Sequence, residues 1–370
     1  MKNIRKNLSN ILGWRTIRKF VVFESDDWGS IRTRSKEDYE AMLNKGLDVD
    51  QNYFTKYDSL ESNLDLENLF STLGEFNDCT GRPPVFTPMC IVANPDFKRI
   101  RDNNCERYYY QDLNLTILDY PKHGNLLKLW RQGADQRLFV PALHGREHLN
   151  VERYLKGLNS VTNEGLRIAF DHRSIGASHY KGLSILEYLG AFHPATPDEI
   201  IRLQELMEEA ISLFTKACGY PPTHFIGPNR EPARELDLVL ADNGVKYITQ
   251  SKLRKYPKGN EKYGFEFNWW GKQNKHSQIY LMRNCSFEPS DPSIKDYANR
   301  CLTEIENAFN WEKPAIISSH RVNYIGYISP KNAEFGLSQL RYLLIQILKR
   351  WPDVEFLTST ELGNIITNKS

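Results

Sequence analysis

The feature that most constrains this chain is a recurrence. Short apolar runs, each close to turn-forming residues, alternate with stretches of helical periodicity. The runs are Phe20-Val21-Val22-Phe23, Val85-Phe86-Thr87, Leu138-Phe139-Val140-Pro141-Ala142-Leu143, Thr223-His224-Phe225-Ile226, Lys246-Tyr247-Ile248-Thr249, Gln278-Ile279-Tyr280-Leu281-Met282, Ala315-Ile316-Ile317-Ser318 and Val354-Glu355-Phe356-Leu357. They are β-branched or aromatic, and their length suits strands buried on both faces of a parallel sheet. Helical spacing is clearest from Asp198 to Lys216, where Ile200, Leu203, Leu206, Met207, Ala210, Ile211 and Phe214 recur on one face behind Thr196-Pro197. A second helix is expected near Glu231 to Asn243, stopped by Gly244, and a third near Pro330 to Arg350, stopped before Trp351-Pro352.

Strand and helix alternating over the whole length argue for one βα-type barrel or sheet. No repeat or low-complexity linker divides the chain, so a single α/β domain over 1–370 is expected. Three polar, aromatic stretches, 38–82, 94–130 and 251–277, read as irregular insertions on the loops. Hydrophobic residues at 40% and charged residues at 25% are ordinary globular usage, and a net charge of +2 without a basic block gives no support to nucleic-acid binding. The N-terminal residues form no apolar signal core, and no apolar run approaches the ~20 residues of a membrane span. A cytoplasmic protein is expected; the basic run Arg15 to Lys19 leaves a peripheral membrane contact open. The cysteines, Cys79, Cys90, Cys105, Cys218, Cys285 and Cys301, form no C-x-x-C pair and read as scattered reduced thiols.

Three constellations carry chemistry. Glu24-Ser25-Asp26-Asp27-Trp28 closes the first apolar run with two adjacent carboxylates, which stay ionised together only if a cation or donors share the site. The plain alternative is a solvated turn with an Asp cap. His144-Gly145-Arg146-Glu147-His148 closes another run. On a helix, its i and i+4 imidazoles would share a face and could share one metal; otherwise they are two surface histidines. A zincin helix is excluded, because that chemistry needs H-E-x-x-H. His320 ends the run Ile316-Ile317-Ser318-Ser319, where a lone histidine is more often structural, a capping or hydrogen-bonded group. Taken together, three strand ends deliver two aspartates, two histidines and a third histidine to one rim, where barrel chemistry gathers. One carboxylate and two imidazoles make a ligand set with open positions. The other aspartate and histidine then supply a base and an acid.

In these residues the chain resembles the polysaccharide deacetylase superfamily, the family 4 carbohydrate esterases and their glycoside hydrolase/deacetylase relatives. Their T-F-D-D motif is similar to Glu24-Ser25-Asp26-Asp27, which implies that Asp26 is the general base and Asp27 a metal ligand. Their H-[ST]-x-x-H motif is matched by His144 and His148, with Gly145 at the hydroxyl position. Their terminal L-x-H resembles Ile317-Ser318-Ser319-His320 and implies that His320 is the general acid. The resemblance spans about 20 to 360 and implies a distorted (β/α)7 barrel of the polysaccharide deacetylase type, with loop insertions.

The chain departs from the pattern at the third motif, F-R-P-P-Y-G. It reads Phe225-Ile226-Gly227-Pro228-Asn229-Arg230, with isoleucine where an arginine orients the base. Arg230 is the expected substitute, followed by Arg146 and Arg321. The D-x-x-D-W motif has only a faint echo in Asn268-Trp269-Trp270.

The expected activity is removal of an acyl, here acetyl, group from an N-acetylated sugar or glycan precursor. One divalent ion would take part, expected to be Zn²⁺, with Co²⁺, Ni²⁺ or Mn²⁺ able to use the same ligands. Asp26 would take a proton from water and His320 would give one to the leaving amine. Trp28, Trp269 and Trp270 are candidates for stacking on the carbohydrate substrate, or are ordinary packing. The alternatives are a glycosidase-like or other C–N hydrolase on the same barrel, or a non-catalytic carbohydrate-binding protein.

Overall fold

The computed structural model describes residues 12–175, 188–229 and 231–368. In chain order the strands are β1 (Lys19–Trp28), β2 (Phe86–Ile91), β3 (Ala93–Pro95), β4 (Tyr110–Asp112), β5 (Ala142–Gly145), β6 (His224–Phe225), β7 (Tyr247–Thr249), β8 (Leu253–Pro257), β9 (Tyr263–Phe267), β10 (Ile279–Leu281), β11 (Cys285–Ser286), β12 (Ala315–His320) and β13 (Val354–Phe356). Nine of them form one sheet in the order β10-β7-β6-β5-β2-β1-β12-β11, with β13 also paired to β1. Its pairings are parallel, and the sheet curls into an open, distorted barrel with helices around it. Every apolar run singled out in the sequence contributes to it.

The period-2 alternation of a strand explains both the core and the site. On β1, Val21 and Phe23 join the large core beneath the outer helices. Phe20 and Val22 join a second core with Tyr247, Ile279, Leu281, Ile316 and the helix residues Leu362 and Ile366. This second cluster fills the inside of the curl. Stepping on by two along the same strands leads from Val22 to Glu24 and Asp26, from Tyr247 to Thr249, from Leu281 to Arg283, and from Ile316 to Ser318 and His320. Inside the curl, apolar packing therefore gives way to a polar layer at the C-terminal ends of the strands.

Two of the expected helices form as read. One spans Glu199–Cys218 and ends at Gly219, whose φ of 85° is the left-handed C′ conformation that favours glycine. The other spans Pro330–Arg350 with proline in its first turn. The helix expected from Glu231 begins only at Leu236 and ends at Asp242. Its first residues are drawn away: Glu231 accepts hydrogen bonds from Ser251, and the Pro232 carbonyl accepts one from Arg254.

The three presumed irregular insertions are ordered instead. The first carries helices Lys36–Asn44, Tyr53–Tyr57 and Asn63–Gly74; the last opens as the antiparallel pair β8–β9. Helix Asn63–Gly74 starts with a capping box between Ser62 and Asp65, a local signal that composition alone hides. The basic run near the N-terminus is spent on ion pairs, Arg15 with Glu312, Arg18 with Glu355 and Lys19 with Asp353. Among the described residues, no helix is long and apolar enough to cross a membrane.

Candidate metal centre

β1 delivers both aspartates because its backbone breaks stride. Asp27 has a φ of 76°, a left-handed conformation rare outside glycine, asparagine and aspartate. The pairing of β1 with β2 shifts register between Ser25 and Trp28. A regular strand would send neighbouring side chains to opposite faces. The irregularity re-aims Asp27 so that both carboxylates reach the rim, at a local cost of about 1–3 kcal/mol.

Asp27, His144 and His148 converge, with one ligand atom from each lying within 4.8 Å of the others. The Asp27 Oδ1 lies 3.1 Å from His148 Nε2 and 3.7 Å from His144 Nε2. Metal–ligand bonds of about 2.0–2.1 Å at tetrahedral angles put ligand atoms about 3.4 Å apart, so this spacing fits a small divalent cation. The protonation pattern fits too. His144 Nδ1 meets the Ile226 carbonyl at 2.8 Å, which fixes the donor there and leaves Nε2 as a lone-pair nitrogen. Asp27 Oδ2 accepts from Arg32 at 3.0 Å, while its buried Oδ1 has no hydrogen-bond partner. A buried carboxylate oxygen without a donor is costly, and a cation would relieve it.

Burial works to raise the Asp27 pKa. His148, His144 and Arg32 outweigh it and hold the carboxyl well below the usual carboxylate range. Burial pushes His148 down, toward the neutral form that ligation needs. The two histidines do not share a helix. His144 lies on β5, His148 lies in the turn that follows Gly145, and the next helix begins only at Val151. The two imidazoles therefore converge from a strand and the bend after it, not from one face of a helix.

Asp26 and His320 flank this set. They are register partners across β1 and β12, and His320 Nε2 lies 3.8 Å from Asp26 Oδ2. Each is held from behind by a residue that the sequence reading missed. Arg283 grips both oxygens of Asp26, at 2.7 and 2.5 Å, and donates its Nε to Glu24 at 2.7 Å. Burial raises the Asp26 pKa, but Arg283 overrides it and brings it down to about 2. Asp26 therefore stays ionised across the working pH range.

Glu24 is itself anchored by Ser359 and Thr249. Its place two residues before Asp26 lets one guanidinium span both carboxylates. On the other side, Glu288 accepts from His320 Nδ1 at 2.7 Å and from Asn323 at 2.7 Å. Burial alone would lower the His320 pKa; Glu288, with Asp26 and Asp27, raises it to about 9. His320 thus carries a proton at neutral pH with Nε2 turned to the site.

Of the three arginines expected to orient the base, the two that are described do other work. Arg230 lies outside the described residues. Arg146 pairs with Glu147 and Glu209, and Arg321 with Asp58 and Glu61. Arg283 could have been found by the rule that found the others: it sits just past the apolar run Gln278 to Met282, two residues on from Leu281 and therefore pointing inward. Glu288 had no such signal, because β11 has only two residues.

The tryptophans expected to stack on substrate are placed elsewhere. Trp28 is 0% exposed, donates to Ser25 and packs edge-on against Phe139. Trp270 is 1% exposed inside the curl. Trp269 is exposed and packs on Phe267 and Lys272. The aromatic wall of the site is Phe54 instead, edge-on to His320 at 4.9 Å and stacked with Tyr53 at 4.3 Å.

No family model and no curated protein matches the chain. Among solved structures the chain is similar to three of note. One is a putative polysaccharide deacetylase from Mycobacterium smegmatis, at 11% identity over 96% of this chain and 92% of that one, with a TM-score of 0.46. Another is Puue allantoinase, at 10% identity over 95% and 91%, with a TM-score of 0.45. The third is a family 4 acetyl xylan esterase from Clostridium thermocellum in complex with a cobalt ion, at 13% identity over 94% and 91%, with a TM-score of 0.37. These are likenesses of overall architecture, and the chemistry of the site stands on its own residues.

Proposed function

We propose that this protein is a metal-dependent hydrolase that removes an acyl group, acetyl in the simplest case, from an N-acetylated sugar or glycan precursor. The observation that carries the reading is the division of labour around one point. Three ligand-type side chains converge there, an obligatorily ionised carboxylate lies on one side, and a protonated imidazole lies on the other.

Asp27, His144 and His148 would hold a divalent ion, with Zn²⁺ the best fit and Co²⁺, Ni²⁺ or Mn²⁺ compatible. When bound, such an ion acidifies water and polarises an acyl oxygen. Asp26, kept ionised by Arg283, accepts the proton of the attacking water at its carboxylate. His320 gives its Nε2 proton to the departing amine, and Glu288 stabilises the imidazolium until that moment. Arg283 and Glu288 act as positioning residues. A glycosidase acting through a carboxylate pair has no use for the two inward imidazoles, and a pure binding module has no use for a base and an acid.

The test joins metal analysis to an acetate-release screen on N-acetylated sugars. The wild-type chain is expected to carry one divalent ion, to release acetate and to lose activity to a chelator. His148→Ala is expected to lose both ion and activity. A His148→Ala protein with wild-type metal stoichiometry and affinity would sink the ligand assignment, and turnover that survives chelation would sink the mechanism.

A further inference from the structure

The antiparallel pair β8–β9 is built inside out. A sheet with one face in water turns its apolar residues in and its polar residues out. Here the register places Leu253 with Phe267 and Lys255 with Phe265 on one face, and Arg254 with Glu266 and Tyr256 with Gly264 on the other. The face that carries the charges is the buried one. Arg254 binds both oxygens of Asp237, at 2.8 and 3.0 Å, and lies 3.9 Å from Glu266. Gly264 leaves the space that Tyr256 fills, because a Cβ there would stand 2.1 Å from that ring.

Parity then sends the apolar side chains outward. Leu253 is 60% exposed, Phe265 64% and Phe267 51%. Trp269, two residues further on, is 38% exposed and extends the face, its ring 6.4 Å from that of Phe267. Elsewhere among the described residues, the exposed large aromatic side chains are Phe335 and Tyr342, both on the helix Pro330–Arg350. The four side chains of the hairpin offer about 400 Å² of apolar surface, a patch of the size that marks a contact site.

Charge narrows what can cover it. Lys255 stands within the face, its ammonium 3.9 Å from the centre of the Tyr263 ring, and Lys258 and Lys262 are exposed at the hairpin tip. Glu261 is the acid between them, while Glu266 is turned to Arg254 and Lys272. A second copy across a two-fold axis would set these lysines against one another, and the patch is about half the ~800 Å² that each partner of a stable interface buries. Rings interleaved with lysines suit an anionic bilayer instead. The rings enter the boundary between headgroups and acyl chains, and the ammoniums meet the phosphates.

We propose that the outer face of β8–β9 is a docking surface for an anionic phospholipid membrane. Its place in the chain gives this a consequence for the site. β7 ends at Thr249, whose hydroxyl bonds Glu24 behind the base, and β8 begins at Leu253. At most about 14 Å of chain separates the two, so a docked hairpin keeps the metal centre near the lipid surface.

The test is flotation of the full chain with two kinds of vesicle, phosphatidylcholine alone and an equal mixture of phosphatidylcholine and phosphatidylglycerol, at low and high salt. Phe265→Ser with Phe267→Ser removes the rings, and Lys255→Glu with Lys258→Glu reverses two charges. All four positions are exposed, and thermal melts followed by circular dichroism check each fold; if one double variant folds poorly, the other decides. The wild type is expected to float with the mixed vesicles, less at high salt, and to stay off the neutral ones. Each double variant is expected to bind at least tenfold more weakly, a lysine near an anionic surface being worth roughly fivefold.

A wild type that stays off the mixed vesicles, or binds both kinds equally, overturns the proposal. So does a folded double variant that binds within twofold of wild type. Sedimentation showing a wild-type dimer that the serine variant dissolves would assign the face to a second copy, and displacement from vesicles by a soluble oligosaccharide would assign it to a glycan chain; either result overturns it as well. Vesicle binding needs no turnover, so it stands or falls apart from the hydrolase reading. Acetate release from a soluble N-acetylated sugar is expected to be the same in both variants as in the wild type.

Discussion

Glu288→Gln is the most discriminating single change, because it removes a charge and little else. In the wild type Glu288 accepts hydrogen bonds from Nδ1 of His320 and from the side-chain amide of Asn323. A glutamine of the same shape still accepts from Asn323, but it presents an amide N–H to His320 and so favours the neutral ring. The His320 pKa stands at about 9 against an ordinary value of 6.5. At 1.36 kcal/mol per unit, that difference is worth up to about 3 kcal/mol of preference for the imidazolium. The side chain is 27% exposed, and screening by solvent reduces the figure.

The sign follows from the raised pKa. The contribution to stability is complete below about pH 6.5 and is lost as pH rises through about 9. Without the Glu288 charge, burial is opposed mainly by Asp26, and the pKa is expected to fall by about two units. Nitrogen-detected NMR of the His320 ring reads this directly, without any substrate. In kinetics the alkaline limb of kcat/KM should move down by the same amount. A ring titration and an alkaline limb that both stay within about half a unit of wild type would refute the claim that Glu288 holds the proton on His320.

The other predictions concern charges that the structure pairs. Asp26→Asn should keep its ion and lose roughly 10²-fold or more of turnover at every pH, as expected for a lost proton acceptor; near-normal rates would remove Asp26 from the chemistry. Arg283→Met should release Asp26 from its value of about 2, so that burial raises the pKa and an acid limb appears in the kcat/KM profile, with activity partly recovered as pH rises. A profile identical to wild type would show that Arg283 does not hold the base. Arg321→Met should destabilise the fold by about 3–5 kcal/mol in urea titrations, because two buried carboxylates lose their common cation; a loss under about 1 kcal/mol would contradict that.

Much of this arrangement was legible in the sequence, and for a physical reason. A parallel strand buried on both faces must be an apolar run, and a polar residue at its C-terminal end must meet the rim. That logic picks out Asp26, Asp27, His144 and His320 without a structure, and eight of the nine strands of the sheet. What it cannot supply is the direction of a side chain after a bulge, or the partner of a buried charge. Asp27 reaches the site through a left-handed φ, and nothing in Ser25-Asp26-Asp27 announces it.

Trp28 and Trp270 escaped the sequence reading for a different reason. Aromatic residues near a site motif can pack inward as readily as stack outward, and the core claimed Trp28 and Trp270. Their role as a wall fell to Phe54, on a helix inside a stretch whose composition reads as loop. Arg283 was missed because proximity in sequence stood in for register. Arg230 follows the motif strand by a few residues, whereas Arg283 follows a different strand with the correct inward parity.

Arg321 shows why the support of the metal ligand matters as much as that of the base. Asp27 offers one oxygen to the site and gives the other to Arg32. An arginine so close to a cation site would work against the cation unless its charge were answered. Asp58 answers it, 3.6 Å from Arg32 Nε. Burial raises the Asp58 pKa to about 6 even against the pull of two arginines, so this carboxylate needs both of them to stay charged.

Arg321 supplies the second guanidinium and passes on to Glu61, whose oxygens also take the Gly29 amide and the Trp130 indole N–H. The series Asp27, Arg32, Asp58, Arg321, Glu61 alternates in sign, and three carboxylates against two guanidiniums leave one negative charge. Two carboxylate oxygens of this series lack a hydrogen-bond donor, Oδ2 of Asp58 and Oδ1 of Asp27; Asp58 Oδ2 lies 3.6 Å from Arg32 Nε, whereas Asp27 Oδ1 faces His148 Nε2 at the metal centre, where a cation would neutralise the residual charge. Arg321, one residue after the candidate acid, thus shapes the ligand on the opposite side of the site.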